Sequence, residues 1–322
     1  MSTNSTILVT GGTSGLGYYA TLELAKQYPD YQIITASRTD KDGATDSVNK
    51  ATGHMNVKFL PLDLASLKNI RAFAADYASK GYPPIKCLLL NAGSTFPTGV
   101  GYTEDNIERT FAINHVGHGL LYFLLRPHLA KDCHVIITAS GTHDPAQKTG
   151  VTDAKYSSAE ELAHPRAESA NYDGSQTYST SKLCNVLWGY ALHRRLTNHK
   201  PEGYDWSVAC FDPGFMPGTG LARDASPVVR FLFSSVLPHL LPLLRLIIGA
   251  NVHQPPESGA ALAKLAVSTD VSGKYYEGAK AIKSSDASYD TEKQEDLWNW
   301  TLKAVAKDEA ERREFEKVYP SS

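Results

Sequence analysis

The chain alternates short, continuously apolar runs with segments of helical periodicity, and that rhythm leaves few folds open. The runs are STILVT (Ser5–Thr10), YQIITAS (Tyr31–Ser37), VKFLPLDL (Val57–Leu64), IKCLLL (Ile85–Leu90), HVIITAS (His134–Ser140) and WSVACF (Trp206–Phe211). GKYYEG (Gly273–Gly278) is a last candidate. None shows the polar alternation of a half-exposed strand, so they read as strands covered on both faces of a parallel sheet. Between them lie segments such as GYYATLELAKQY, with Leu22, Ala25 and Lys26 at helical spacing, and a helix expected at roughly residues 106–129. The expected class is α/β, a doubly wound parallel sheet with right-handed crossovers. At 322 residues, with no composition shift and no internal repeat, one domain over residues 1–322 is expected.

TGGTSGLG (Thr10–Gly17) falls between the first strand and the first helix. Glycines there allow positive φ, let backbone approach a pyrophosphate, and leave the helix N-terminus aimed at it. A glycine trio alone is weak evidence, but its position on the first strand-to-helix turn strengthens it. Gly11, Thr13, Ser14, Gly15, Leu16 and Gly17 are therefore candidate cofactor contacts in a Rossmann-type site. The second run ends in Ser37-Arg38 with no acid for a ribose 2′-hydroxyl. A solvated loop arginine is the plain reading of Arg38; its position favours a 2′-phosphate, hence NADP(H).

YSTSK places Tyr178 and Lys182 at i and i+4, on one face of a helix. Leu183, Val186, Leu187, Tyr190 and Ala191 continue that helix as an apolar stripe, with Arg194 and Arg195 near its end. Reducing a carbonyl needs a hydride on carbon and a proton on oxygen. A free phenol has a pKa of about 10, and a neighbouring ammonium and nicotinamide cation favour phenolate. Ser140 follows an apolar strand, where an open sheet presents side chains to ligands. By itself YSTSK equally describes an exposed helix start; the glycine turn, Ser140 and Asn114 in register favour chemistry.

These motifs, with NAG (Asn91, Ala92, Gly93) and Asn114 in FAINHVGHGLL, occur in the order found in short-chain dehydrogenases/reductases. The chain resembles that family over roughly residues 5–280. It looks most similar to the branch holding retinol-dehydrogenase-like enzymes and light-dependent protochlorophyllide reductase, through YSTSKLCNVLWGYALHRRL, DPGFMPGTGLAR and ESGAALAKLAVS. The resemblance implies Tyr178 as proton donor or acceptor and Lys182 as the residue that holds the nicotinamide ribose and lowers the tyrosine pKa. It implies Ser140 as a hydrogen-bond partner of the substrate oxygen. It also implies that Asn114 kinks its helix and holds a water in a proton relay. Asp63 and Leu64 would face the adenine, Asn91 would support the floor, and Pro213 and Gly214 would approach the nicotinamide.

Two positions depart from the pattern. Protochlorophyllide reductases carry a cysteine after the Pro-Gly, where this chain has Phe215, which disfavours reduction of a C=C bond in a tetrapyrrole. A threonine common five residues after the proline is Gly218 here, with Thr219 next, so Thr219 is carried over only as a neighbouring candidate. A non-catalytic NADP(H)-sensing protein is the alternative from another class; such a protein has little need of the Tyr–Lys–Ser set.

Charged residues make up 20% and the net charge is −2, so nothing points to nucleic acid. Scattered cysteines and a leader-free MSTNST fit a cytoplasmic protein without disulfides. His115 and His118 lack a third ligand at metal spacing and read as packed histidines, His143 as a loop histidine, and Cys184 as a buried thiol. VVRFLFSSVLPHLLPLLRLIIGA (Val228–Ala250) is apolar but interrupted by arginines and prolines. It reads as broken amphipathic helices over the pocket, within a lid insertion at about residues 215–256. That implies a sizeable apolar ketone or aldehyde, such as a retinoid, steroid, terpenoid or polyketide, with peripheral membrane contact as the second reading. The long Ser140–Tyr178 segment is expected to shape one wall of the site or to form a surface excursion; insertions there can cover the helices through which many family members dimerise, leaving monomer or homodimer open. The tail from residue 292 reads as one amphipathic helix.

Overall fold

A computed structural model describes residues 4–96, 99–165, 173–219, 231–247 and 251–319. Its centre is one sheet in the order β3-β2-β1-β4-β5-β6-β7-β8, parallel except for the last strand. The strands are β1 (Ser5–Thr10), β2 (Tyr31–Ser37), β3 (Val57–Pro61), β4 (Ile85–Leu90), β5 (Leu129–Thr138), β6 (Ser207–Asp212), β7 (Lys274–Glu277) and β8 (Lys280–Ile282). The expected Rossmann-type α/β fold is present. The antiparallel β8 was not foreseen; it is a three-residue strand with two exposed positions and carries no apolar signal.

Why the strands read as unbroken apolar runs is visible in β1. Ile7 and Val9 pack on one face with α1 (Gly15–Gln27), and Leu8 packs on the other; all three are fully buried. On the first face α1 lies against the helix Pro255–Ala266 so closely that a Cβ on Gly259 would sit 2.4 Å from Cβ of Tyr19. The opposite face holds the helices Leu67–Ser79, Gly117–Leu125 and Gly174–Asn198.

The helix expected near residues 106–129 is interrupted. A π turn, Ala112–Val116, separates Arg109–Phe111 from Gly117–Leu125, and Asn114 lies in it. Asn114 is the residue expected to kink this helix, and π turns are places where α-helical runs bend. β5 begins five residues earlier than the expected His134 and ends before Ser140, because pairing to β6 stops at Thr138 and Ser140 starts a tight turn. The tail forms two helices, Thr291–Val305 and Glu309–Glu316. Ala306 is extended between them, and Asp308 caps the second by accepting from Glu311 N at 2.8 Å.

Of the apolar segment 228–250, residues 228–230 and 248–250 lie outside the described residues. The remainder is broken into a π turn, a 3₁₀ turn and the helix Leu241–Ile247, as the prolines require. Several of its apolar side chains turn outward, Phe231 being 62% and Leu246 82% exposed, whereas Leu241 is buried. None of the segment's described residues lines the main crevice, so the greasy lining expected from them is not found there. Hydropathy records that a segment avoids charge, not which side it presents. Among the described residues no helix is long and apolar enough to cross a membrane.

Candidate active site

The sheet order reverses direction between β1 and β4, and a crevice of about 840 Å³ opens at that edge, beyond the carboxyl ends of the strands. Its floor begins with the glycine turn. Gly11 and Gly15 have φ of +69° and +51°, conformations that side chains resist. A Cβ on Gly17 would lie 2.3 Å from Gly11 O, so the turn is closed to any larger residue. Ser14 precedes α1 in extended conformation without a side-chain cap, and the first turn carries no acid. Open amides with an aligned dipole and no competing carboxylate suit a pyrophosphate. Gly11, Thr13, Ser14, Leu16 and Gly17 line the crevice; Gly15 opens on a smaller adjoining hollow. Thr219 lines the crevice too, and its side chain is the nearest neighbour of a Cβ built on Gly15, at 3.8 Å.

Asn91 ties three strand ends together. Its Nδ2 donates to Thr10 O at 2.8 Å and its Oδ1 accepts from Thr138 Oγ1 at 3.3 Å. Asp63, Leu64, Ala92, Gly93, Pro213 and Gly214 also border the crevice. Arg38 and Lys41 stand exposed on its rim, while Asp40 beside them accepts from Ala44 N at 2.7 Å and Thr45 N at 3.1 Å.

The helix Gly174–Asn198 brings the Tyr–Lys pair in. Asp173 caps it by accepting from Ser175 N at 2.8 Å. Lys182 Nζ and Asn185 Nδ2 both donate to Thr138 O at 3.0 Å, pinning the helix to the end of β5. Lys182 is buried, and burial pulls its pKa down to about 8 against the opposing pull of the Asp212 carboxylate. Its ammonium lies 5.7 Å from the Tyr178 ring centroid. Burial, then Asp212, push the Tyr178 phenol above its ordinary value, while a hydrogen bond with Ser140 pulls it down. Among the protein groups burial is the largest influence on the phenol and favours its protonated form, while the lowering expected from Lys182 was reasoned together with a nicotinamide cation.

Asn114 does not line the crevice. Its Oδ1 accepts from Ser94 N at 2.8 Å, and its Nδ2 donates to Ser94 O at 3.0 Å and Ser181 Oγ at 2.9 Å. That locks the crevice wall to the residue beside Lys182, and its carbonyl pairs with His118 Nδ1 at 3.2 Å. His115 and His118 are buried with hydroxyl partners, Thr301 and Thr10, as packed histidines. Cys184 is a buried free thiol whose pKa burial pushes up.

His143 is more than a loop histidine. Its Nδ1 faces Ser140 O at 2.7 Å and its Nε2 accepts from Ser285 N at 3.1 Å, so Nδ1 carries the proton and donates to the serine carbonyl. It anchors the Ser140 turn to the segment after β8. Asp212, Gln147 and Asn251 also reach the crevice. Sequence reasoning passed over all three, and only the position of Asp212 ahead of Pro213 could have singled one out. The described part of the Ser140–Tyr178 segment contributes a wall of the site, as expected. Gln147, Thr149 and Val151 form a wall, and beyond them Tyr156 donates to Asp296 at 2.7 Å on the helix Thr291–Val305.

A short chain dehydrogenase family profile matches residues 5–160. The chain is 29% identical to protochlorophyllide reductase of Daucus carota over 322 residues, covering 93% of this chain and 77% of that one. The chain is thus similar to short-chain dehydrogenases/reductases along most of its length. It is also 28% identical to short-chain dehydrogenase TIC 32 A of Brassica napus, across 93% of this chain and 88% of the relative. Both relatives are described as chloroplastic. The fold matches that of an NADPH-bound carbonyl reductase from chicken fatty liver with a TM-score of 0.57 at 18% identity, over 88% of this chain and 99% of that one. That likeness supports an oxidoreductase with a nicotinamide cofactor.

Proposed function

We propose that this oxidoreductase uses NADP(H) to interconvert a ketone or aldehyde with an alcohol on a sizeable substrate, as one cofactor-binding unit over residues 1–322. The observation that carries the reading is convergence: Tyr178, Lys182 and Ser140 share one crevice with the glycine turn and with two rim cations. Arg38 and Lys41 suit a 2′-phosphate, while the Asp40 carboxylate between them already accepts from two backbone amides. When bound, the nicotinamide supplies the hydride. Ser140 donates to the substrate oxygen, Tyr178 gives its proton to that oxygen as charge builds on it, and Lys182 holds cofactor ribose and steadies the phenolate left behind. Ile113, Val151, Phe215 and Met216 line the crevice with apolar surface for a substrate body of polyketide or terpenoid kind.

Phe215 occupies the place of the protochlorophyllide reductase cysteine on the crevice wall, which favours carbonyl over C=C chemistry. The helix Thr291–Val305 covers the helix Gly174–Asn198, with Trp298 stacked on Trp188 at 5.8 Å, which favours a monomer. The deciding assay follows NADPH oxidation with a panel of apolar ketones in wild type and Tyr178→Phe. Loss of roughly 10²–10⁴ in kcat with NADPH affinity retained is expected. Full turnover by the phenylalanine variant would remove Tyr178 as the acid.

A further inference from the structure

The wall around Gly141 holds more hydrogen-bond acceptors than a simple ketone can satisfy. Asp212, at the end of β6, is 1% exposed yet borders the crevice. Its Oδ1 accepts from Gly214 N at 2.9 Å and its Oδ2 from Asn251 Nδ2 at 3.1 Å. A carboxylate has about four acceptor positions and the buried Tyr275 hydroxyl also interacts with this one, so about one remains. Oδ2 lies 3.1 Å, and Gln147 Oε1 2.3 Å, from where a Cβ on Gly141 would stand, so both oxygens face the space a side chain there would fill. Because Asn251 uses its Nδ2 on Asp212, its Oδ1 is fixed as an acceptor, and it is buried without a partner, as is Thr142 Oγ1. Asn251 and Thr142 both border the same crevice. The Asp212 charge is also felt at Tyr178 and Lys182, which places it within range of the reacting centre.

A carbonyl group accepts and cannot donate, and an apolar body does neither, so such a substrate leaves this carboxylate under-coordinated. We propose that Asp212 is a specificity-determining residue that accepts a hydrogen bond from a substrate hydroxyl close to the reacting carbonyl, making the substrate class hydroxyketones. The spacing follows from the chain: Gly141 adjoins Ser140, and neighbouring Cα atoms are about 3.8 Å apart, so the hydroxyl sits within a few bonds of the carbonyl carbon. The proposal rests on the carbonyl-reductase reading and narrows it.

Two nearly isosteric ketones separate the possibilities: α-hydroxyacetophenone and propiophenone, which differ by OH for CH₃. With NADPH, wild type favours the hydroxyketone in kcat/KM by roughly 10- to 100-fold, the range expected for a hydrogen bond to a charged group. Asp212→Leu abolishes that preference, mainly by raising KM for the hydroxyketone, and Asp212→Asn, which keeps an acceptor for Gly214 N, reduces it. The dissociation constants of both ketones are also measured on the NADP⁺-loaded protein, where there is no hydride to give. Should neither ketone be reduced while the NADP⁺ complex keeps the Asp212-dependent preference, the reductase reading fails and the Asp212 acceptor site stands. Equal binding of the two ketones by wild type, or a preference that survives in folded, NADPH-binding Asp212→Asn and Asp212→Leu, overturns the proposal. Gln147→Leu guards against misfolding at residue 212: it halves the acceptor pair without touching the buried carboxylate, and a preference it leaves wholly intact also counts against the site.

Discussion

Replacing Gly17 with alanine tests whether the glycine turn is a cofactor cradle or merely a tight corner. The added methyl would stand 2.3 Å from Gly11 O, 2.7 Å from Asn91 Nδ2 and 2.8 Å from Gly11 C. Favourable carbon contacts begin at about 3.5 Å, so the overlap is roughly 1 Å and most of it is against backbone. Neither side yields easily. Gly11 N donates to Ala36 O at 2.8 Å, and Asn91 is held by Thr10 O at 2.8 Å. Behind α1, Gly259 already admits nothing larger. Overpacking of this kind costs about 1–3 kcal/mol, a fall in Tm of roughly 2–6 °C for a chain of this size. The α1 amides would shift by a similar ångström, and losing one or two charge-assisted bonds at about 1.5–3 kcal/mol each weakens NADPH binding by about 10²-fold or more. Thermal melting and NADPH fluorescence titration read the two effects separately. Gly259→Ala is the control, since it overpacks α1 away from the crevice and lowers Tm while leaving NADPH affinity within about threefold. Wild-type affinity in Gly17→Ala would refute the cradle.

Arg38→Asp should lower kcat/KM for NADPH by roughly 10²-fold and leave NADH little changed, because only the former brings a 2′-phosphate to the rim; equal losses would argue against Arg38 as its partner. Lys182 has a folded pKa of about 8 against an ordinary 10.5, so its burial penalty is full below pH 8, shrinks between those values as the folded chain releases its proton first, and is gone above them. The Tm advantage of Lys182→Met over wild type should therefore narrow between pH 7 and 10, and a constant gap would deny the shift. Light scattering should give a mass near 35.1 kDa, and a dimer would show that the covering C-terminal helix does not block association.

Much of the framework was legible because it rests on interactions between near neighbours in the chain. Strand runs such as Ser5–Thr10 follow from covering both faces of a sheet, the glycines from a turn that admits no Cβ, and the Tyr178–Lys182 pair from the helical repeat. What the sequence left open depends on groups far apart in the chain. The outward turn of Phe231 and Leu246, the Ser140–His143–Ser285 anchor and the meeting of Asp212 with Asn251 and Gly141 needed coordinates. The raised pKa of Tyr178 is the clearest case: a spacing of four residues places the ammonium, but burial and a carboxylate thirty-four residues further along decide the sign. Periodicity is local, whereas solvation and charge act through space, so the sequence alone determined the scaffold and only the tertiary structure decided how its groups behave.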